Sequence, residues 1–383
     1  MRCEKVGGAD LAQILPVYKA FKASHQEITV VQDLEWILHT RKDELDQAGA
    51  YVLRNGGGTI SGYAPFLIQN RPLRCFIGEL KLGEVPLRCL MLLGAPHFPD
   101  NEEAYAALIE ETDKLGSEID GLFVFGLPLN SFLWNYLEKS PAISQRFIRY
   151  LPEKPDRRIM IDLPKSHEEY MQKLTPKNRN TLKRRVARLE KESDGQLQLV
   201  CATSADQVDG FLEEAVRVSQ KSYQWHLLGL GLRDLERWRK NLKFLAGKNW
   251  LRSYLLRCRG VPVAFTICYQ DDRCCYYVNT GYDQDWGEYN VGTVLQFMML
   301  KDIFAHNRPV VVDLGRRSGG HKKVFGNTSF LDCDVYLLRR NLRSSIAYNT
   351  HRASQFVSEG ISDVLDRLKL KRLAKQTLRK SSV

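Results

Sequence analysis

The sequence predicts an α+β protein of two tandem domains, each with a mixed, mainly antiparallel sheet and flanking helices. Three observations carry this. At 383 residues and 44% hydrophobic composition, the chain can fill two cores of ordinary size. Strand-like runs alternate with amphipathic helical runs, in a related order in each half. Between the halves, residues 151–157 (Leu-Pro-Glu-Lys-Pro-Asp-Arg) combine two prolines with several charges, as a domain linker does. The expected boundaries are 1–152, 153–340 and a basic helical tail, 341–383.

The first half opens with helices at 9–23 and near 33–38. Strands at 49–54 and 59–69 flank Asn55-Gly-Gly-Gly58. An Asn-Gly turn between apolar runs marks a hairpin, because both central residues must tolerate positive φ. Further strands are expected at 74–77, 87–93 and 121–126, with a helix at 102–115 between the last two. A helix at 129–137 and a strand at 144–150 close this half. In the second half a strand at 158–162 precedes helices at 166–174 and 177–191. The strand 197–201 leads to a helix opened by a capping box, Ser204-Ala-Asp-Gln207. After a helix at 232–245 come strands at 251–259, 261–269 and 274–282, separated by tight turns. A helix at 291–306 and strands at 310–315 and 330–340 complete the pattern.

The first residues lack an apolar signal core, and no run approaches the ~20 apolar residues of a membrane span. Nine scattered cysteines form no Cys-x-x-Cys pair, which argues against zinc ribbons and thioredoxin-like chemistry. A cytoplasmic protein without metal is expected. Neither a P-loop nor a Gly-x-Ser-x-Gly elbow occurs.

The net charge of +11 is local: residues 171–191 carry +7 and residues 339–383 carry +8. Such patches suit phosphate-bearing partners: a nucleotide cofactor, RNA or an anionic membrane surface. In the first patch Leu182, Val186 and Leu189 form an apolar stripe, and Arg179, Lys183, Arg184, Arg185 and Arg188 take the other faces. Arginine matches phosphate oxygens with a planar fork, so this helix is read as a phosphate clamp.

The most informative run follows. Tyr276-Tyr-Val-Asn-Thr-Gly-Tyr-Asp283 ends a strand, and Tyr289-Asn-Val-Gly-Thr293 opens a helix. Val311-Val-Asp-Leu-Gly315 emerges at the charged turn Arg316-Arg-Ser-Gly-Gly-His-Lys-Lys323. Together with Leu174-Thr-Pro-Lys-Asn-Arg-Asn-Thr-Leu-Lys-Arg-Arg185, these residues resemble the GNAT acyltransferase superfamily. Within it they are closest to the Fem-type peptidoglycan aminoacyltransferases and the CelD-like proteins of polysaccharide gene clusters. The matching motifs are Gly281-Tyr-Asp283, Val291-Gly292, Asp313-Leu-Gly315 and His321-Lys322. The resemblance covers about 155–340 well and the first half loosely, implying a degenerate N-terminal GNAT-like domain before a C-terminal acyltransferase domain. Two departures are Val291 in place of proline and His321 in place of an aromatic residue.

The resemblance implies N-acyl transfer from a thioester donor, acyl-CoA or an acyl carrier protein, to an amine on an amino sugar, amino acid or peptide. The Fem branch makes aminoacyl-tRNA an alternative donor. A non-enzymatic RNA-binding or scaffold role for the basic helix is the rival of another class. The GNAT signature, a glycine-rich turn holding the coenzyme A pyrophosphate at a helix N-terminus, is reduced here to Gly287 and Gly292. By match to the family pattern, Arg179 and Arg184 are expected at phosphate, with Arg316 nearby. Lys322 is expected beside the developing oxyanion. Asp313 is read as a base or as a partner for Arg316 or Lys322, with Asp283 and Glu288 as alternative bases and His321 as a proton acceptor near neutral pH. Tyr282 is read as a proton donor to the leaving thiolate, and Tyr223, Trp225 and His226 as the lining of the acceptor pocket. The tail offers peripheral contact with an anionic membrane.

Overall fold

The computed structural model describes residues 2–25, 27–77, 80–223, 225, 231–316 and 320–367. The chain forms two compact units, Met1–Pro155 with Leu331–Val383, and Asp156–Phe330. The second is thus inserted into the first.

In the first unit the strands are β1 (Arg2–Gly7), β2 (Ala48–Arg54), β3 (Ile60–Asn70), β6 (Arg88–Leu92) and β7 (Gly121–Pro128). β1, β2, β3 and β6 pair antiparallel in that order, and β6 pairs parallel with β7. Helix α3 (Glu102–Asp113) makes the crossover that a parallel pair requires. The hairpin β4 (Leu73–Ile77) and β5 (Leu80–Val85) branches off. The turn at Asn55 forms as expected: its Oδ1 accepts the amides of Gly57 and Thr59, both at 3.1 Å.

Side chains alternate across this sheet. Tyr51 and Leu53 join a core with α3 and α4 (Phe132–Lys139), while Ala50 and Val52 join one with α1 (Leu15–Ala23) and α2 (Leu34–Thr40). Residues 144–146, expected as strand, instead finish helix α5 (Pro141–Arg146), and only β8 (Phe147–Tyr150) is extended. Pro141 occupies the first helical position, where its fixed φ favours a helix.

The expected boundary near residue 340 is corrected. β15 (Thr328–Arg339) pairs antiparallel with β7, from Asp332↔Pro128 to Leu338↔Gly121, and with β8. Gly121 is required here: an added Cβ would stand 2.2 Å from the Leu337 carbonyl oxygen. The tail is no separate domain over its described length. Its helix α12 (Leu342–Arg367) packs on β4 and belongs to the first unit.

The second unit repeats the plan. β10 (Leu197–Ala202), β11 (Ser253–Cys258), β12 (Val261–Gln270) and β13 (Cys274–Tyr282) pair antiparallel in order. β13 then pairs parallel with β14 (Val311–Asp313), and β9 (Asp156–Asp162) pairs antiparallel with β14. The crossover is α10 (Val291–Ala305). It packs on β11, β12 and β13 and against α7 (Pro176–Glu192), and α6 (His167–Lys173) lies beside it. Helices α8 (Val208–Gln220) and α9 (Leu235–Gly247) pack together, α8 against β12 and β13. The architecture is the tandem α+β arrangement expected, with the same strand order in both units. No helix among the described residues is long and apolar enough to cross a membrane.

Candidate active site

The two units differ where a strand meets its parallel partner. In the first, β6 pairs with β7 from Cys89 to Leu92, the strand's last residue. In the second, β13 holds β14 only at Cys274, Cys275 and Tyr276. From Tyr277 to Tyr282 that edge of β13 has no strand partner among the described residues, although the opposite edge stays paired with β12 as far as Ala264↔Tyr282. Pairing therefore ends between β13 and β14, while it continues between β12 and β13.

The crossover helices differ at their N-termini too. In the first unit Asn101 caps α3, its side chain accepting the Ala104 amide at 2.9 Å, and Glu102 and Glu103 place negative charge in the first turn. That end is closed to an anion. In the second unit α10 has no side-chain cap and no acid in its first turn. Its N-cap Asn290 adopts a left-handed conformation (φ 56°) and turns its side-chain amide back to the Glu288 carbonyl at 3.2 Å. Among the described residues the dipole end of α10 thus has no capping side chain and no acid in its first turn. The ring of Tyr282 lies close to both glycines: a Cβ on Gly287 or on Gly292 would stand 3.7 Å from it. That is ordinary contact, so neither glycine is demanded by crowding, and the unusual backbone at this turn belongs to Asn290.

Helix α7 starts at Thr175, whose hydroxyl accepts the Asn178 amide at 3.3 Å, with Pro176 at the first helical position. Leu182 and Leu189 are buried as the stripe requires. The basic residues divide by role. Arg179 approaches the carbonyls of Met171 and Gln172 at 3.4 Å and closes the end of α6. Arg188 reaches Glu288 at 2.8 Å and stacks over Tyr289 at 4.7 Å, tying α7 to the turn before α10. Lys183 and Arg184 are exposed, and neither they nor Arg185 has a carboxylate partner among the described residues. Arg188 and Glu288 were legible only as a base on a helix and an acid on a loop.

The expected carboxylates are occupied. Asp313, 5% exposed, binds Arg158 through Nε at 2.9 Å and through Nη2, and accepts the Gly315 amide at 2.8 Å. The structure gives these partners rather than the expected ones at residues 316 and 322. Gly315 has φ +74°, a left-handed turn that favours glycine. Lys322, on α11 (Gly320–Phe325), donates to the Arg316 carbonyl at 2.6 Å, and its Nζ stands 3.8 Å from where a Gly315 Cβ would be. Lys322 therefore lies over the turn that leaves β14. Asp283, 2% exposed, accepts from Lys221 at 2.7 Å and caps the turn at Asp285. Its hydrogen bond raises the Lys221 ammonium above its ordinary range, against a small burial effect. Neither aspartate is a free base in this arrangement.

Lys221 continues into Tyr223, which is exposed, and Trp225, over which Arg233 stacks at 4.4 Å. His226 and the side chain of His321 lie outside the described residues. The structure thus groups Tyr282, Gly287 and Gly292 at the start of α10, and Asp313, Gly315, Arg316 and Lys322 at the end of β14. Asp283 joins Lys221, and Arg179 goes to α6.

Residues 176–323 match the family model described as Acetyltransferase (GNAT) domain, from the first residue of α7 into α11. The fold is similar to that of FemX, with 11% identity and a TM-score of 0.56 over 83% of this chain and 94% of that one. It is also similar to the C-terminal domain of a protein assigned as a lysylphosphatidylglycerol synthetase from Agrobacterium fabrum: 12% identity, TM-score 0.51, covering 89% of this chain and 96% of that one. A conserved protein of unknown function from Bacteroides thetaiotaomicron gives 12% identity and a TM-score of 0.51 over 81% of this chain and 91% of that one. A search of curated proteins gave no match. Residues 176–323, within the second unit, thus carry a GNAT acetyltransferase domain by their sequence, and the fold of the chain is similar to that of FemX.

Proposed function

We propose that the second unit transfers an acyl group from a thioester, acyl-CoA or an acyl carrier protein, to a substrate amine. The carrying observation is the edge of β13 from Tyr277 to Tyr282, without a strand partner among the described residues, beside the uncapped start of α10. Both donors present a phosphopantetheine arm. Its amides suit an open strand edge, as an extended peptide does, and its phosphate suits a helix N-terminus. In the first unit both features are filled by the chain's own atoms.

In the reaction the amine nitrogen attacks the thioester carbonyl, the C–N bond forms, and the C–S bond breaks. The Tyr282 hydroxyl would supply the proton taken by the leaving sulfur. The Lys322 ammonium would face the oxyanion, its carbonyl partner at Arg316 fixing its direction. With Asp283 and Asp313 already paired, the amine enters as free base or passes its proton to solvent or to His321. The acceptor, an amino sugar, amino acid or peptide, would approach past Tyr223 and Trp225. An envelope or polysaccharide precursor fits that description.

A second reading, aminoacyl transfer from tRNA, is favoured by one observation: Lys183, Arg184 and Arg185 on α7 have no carboxylate partner among the described residues. Thiol release from acetyl-CoA, or from an acetylated carrier protein, across a panel of amines tests the first reading. Lys322→Met should then lower kcat about 100-fold. No thiol release from either donor, with transfer from aminoacyl-tRNA instead, would replace the first reading by the second.

A further inference from the structure

Helix α12 is amphipathic in the reverse sense. The face it turns inward buries Ser344, Ala347 and His351 and sets Tyr348 edge-on to Tyr150, with no aliphatic side chain larger than alanine among its buried residues. That face is bonded in place. The Ser344 hydroxyl donates to the Asp120 carbonyl at 3.4 Å, Tyr150 donates to Gln355 at 3.0 Å, and Gln355 donates to the Pro152 carbonyl. The large apolar side chains point away from the body. Leu342 is 78% exposed, Ile346 53% and Phe356 79%, with Val357 and Ile361 also exposed. At 100° per residue these positions fall on one side of the helix, roughly opposite Ser344, Ala347 and His351. Exposed Phe76, Leu80 and Leu82 stand on the β4–β5 hairpin, against which α12 packs.

A helix held by its polar face with its apolar face uncovered has a partner to meet. Charge identifies it. Residues 339–383 carry eleven Lys and Arg against three acids. Within α12 three bases balance three acids, and the excess follows it in the sequence at 368–383, six Lys and Arg with no acid, a run that repels a second copy of itself. An anionic lipid surface would take the apolar stripe into its headgroup boundary and attract the bases. We propose that α12 docks the protein on anionic membranes, with Leu342, Ile346, Phe356 and Val357 entering the interface.

The test is sedimentation of the full chain with phosphatidylcholine vesicles, with and without phosphatidylglycerol. Binding is expected only with phosphatidylglycerol, weakening as salt is raised. Ile346→Ser with Phe356→Ser should lower partitioning about tenfold or more without changing the circular dichroism spectrum, since both side chains are exposed. Three results would overturn the proposal. They are no binding to phosphatidylglycerol vesicles, binding unchanged in the double variant, or a concentration-dependent dimer in light scattering that the double variant abolishes. None of these readouts depends on acyl transfer.

Discussion

Gly326 offers a measurement of how the second unit is locked around Lys322. A methyl group at this position would stand 2.2 Å from Ile159 Cγ2, with the Lys322 carbonyl oxygen at 3.2 Å and that of Met160 at 3.4 Å. Carbon atoms pack at about 3.5–4.0 Å, so Gly326→Ala requires Ile159 Cγ2 on β9 to give way by over an ångström. Two of the three neighbours are backbone, which cannot rotate away. Overpacking of this kind costs about 1–3 kcal/mol, or roughly 2–4 °C in Tm per kcal/mol for a unit of this size. The Gly326 amide also donates to the Lys322 carbonyl at 2.8 Å, so the displacement reaches the lysine. Urea unfolding of the single variants and the double variant Gly326→Ala, Ile159→Ala closes the cycle. Ile159→Ala alone should cost about 2–4 kcal/mol, because the side chain is buried. With that side chain absent the alanine at 326 has room, so the double variant should be more stable than the sum of the singles by about 1 kcal/mol or more. Strict additivity would refute the steric argument.

Three further outcomes are expected. Asp302 is opposed by burial, but hydrogen bonds from Arg252 and Tyr254 outweigh it and hold the carboxyl below 3.8. A depressed folded-state value stabilises above the unfolded pKa and is lost as pH falls through the folded one. The urea midpoint of the native chain should therefore exceed that of Asp302→Asn steadily above pH ~5, and the gap should close below pH ~3.8. Charge removal on α7, Lys183→Ser with Arg184→Ser, should raise the Kd for a nucleotide-bearing donor about tenfold while leaving Tm within about 1 °C. A changed kcat at saturation would place those groups nearer the chemistry. Arg158→Met should cost about 2–4 kcal/mol in chemical denaturation, because it strands the 6%-exposed Asp313 side chain without its guanidinium. A loss under about 0.5 kcal/mol would mean that the Gly315 amide alone satisfies the carboxylate.

Much of the fold was legible because local signals agree with it. Asn55-Gly56 gave the hairpin, the Thr175-Pro176 pair begins α7, and the apolar pattern of 253–282 reads as three strands. The last strand's allegiance was not legible. β15 pairs with β7, some 200 residues earlier, and nothing in either run marks the other as its partner. The partners of the site residues were hidden for the same reason. Arg158 and Asp313 are 155 positions apart, Lys221 and Asp283 are 62 apart, and a carboxylate in isolation reads as a base as readily as a paired one. Position along the chain carries the residue type, whereas the role depends on which cation the sheet brings alongside.

The return of the chain to its first unit has a consequence for biosynthesis. β7 acquires β15 only after the whole of Asp156–Phe330 has been made, whereas the inserted unit is one continuous stretch whose strands mostly pair with sequence neighbours. On the ribosome, the inserted unit can therefore reach its native pairing while the earlier-translated unit still exposes one side of β7, a vacant edge open to mispairing. Assembly of the nascent protein would run from the middle of the sequence outward, with the oldest segment sealed last.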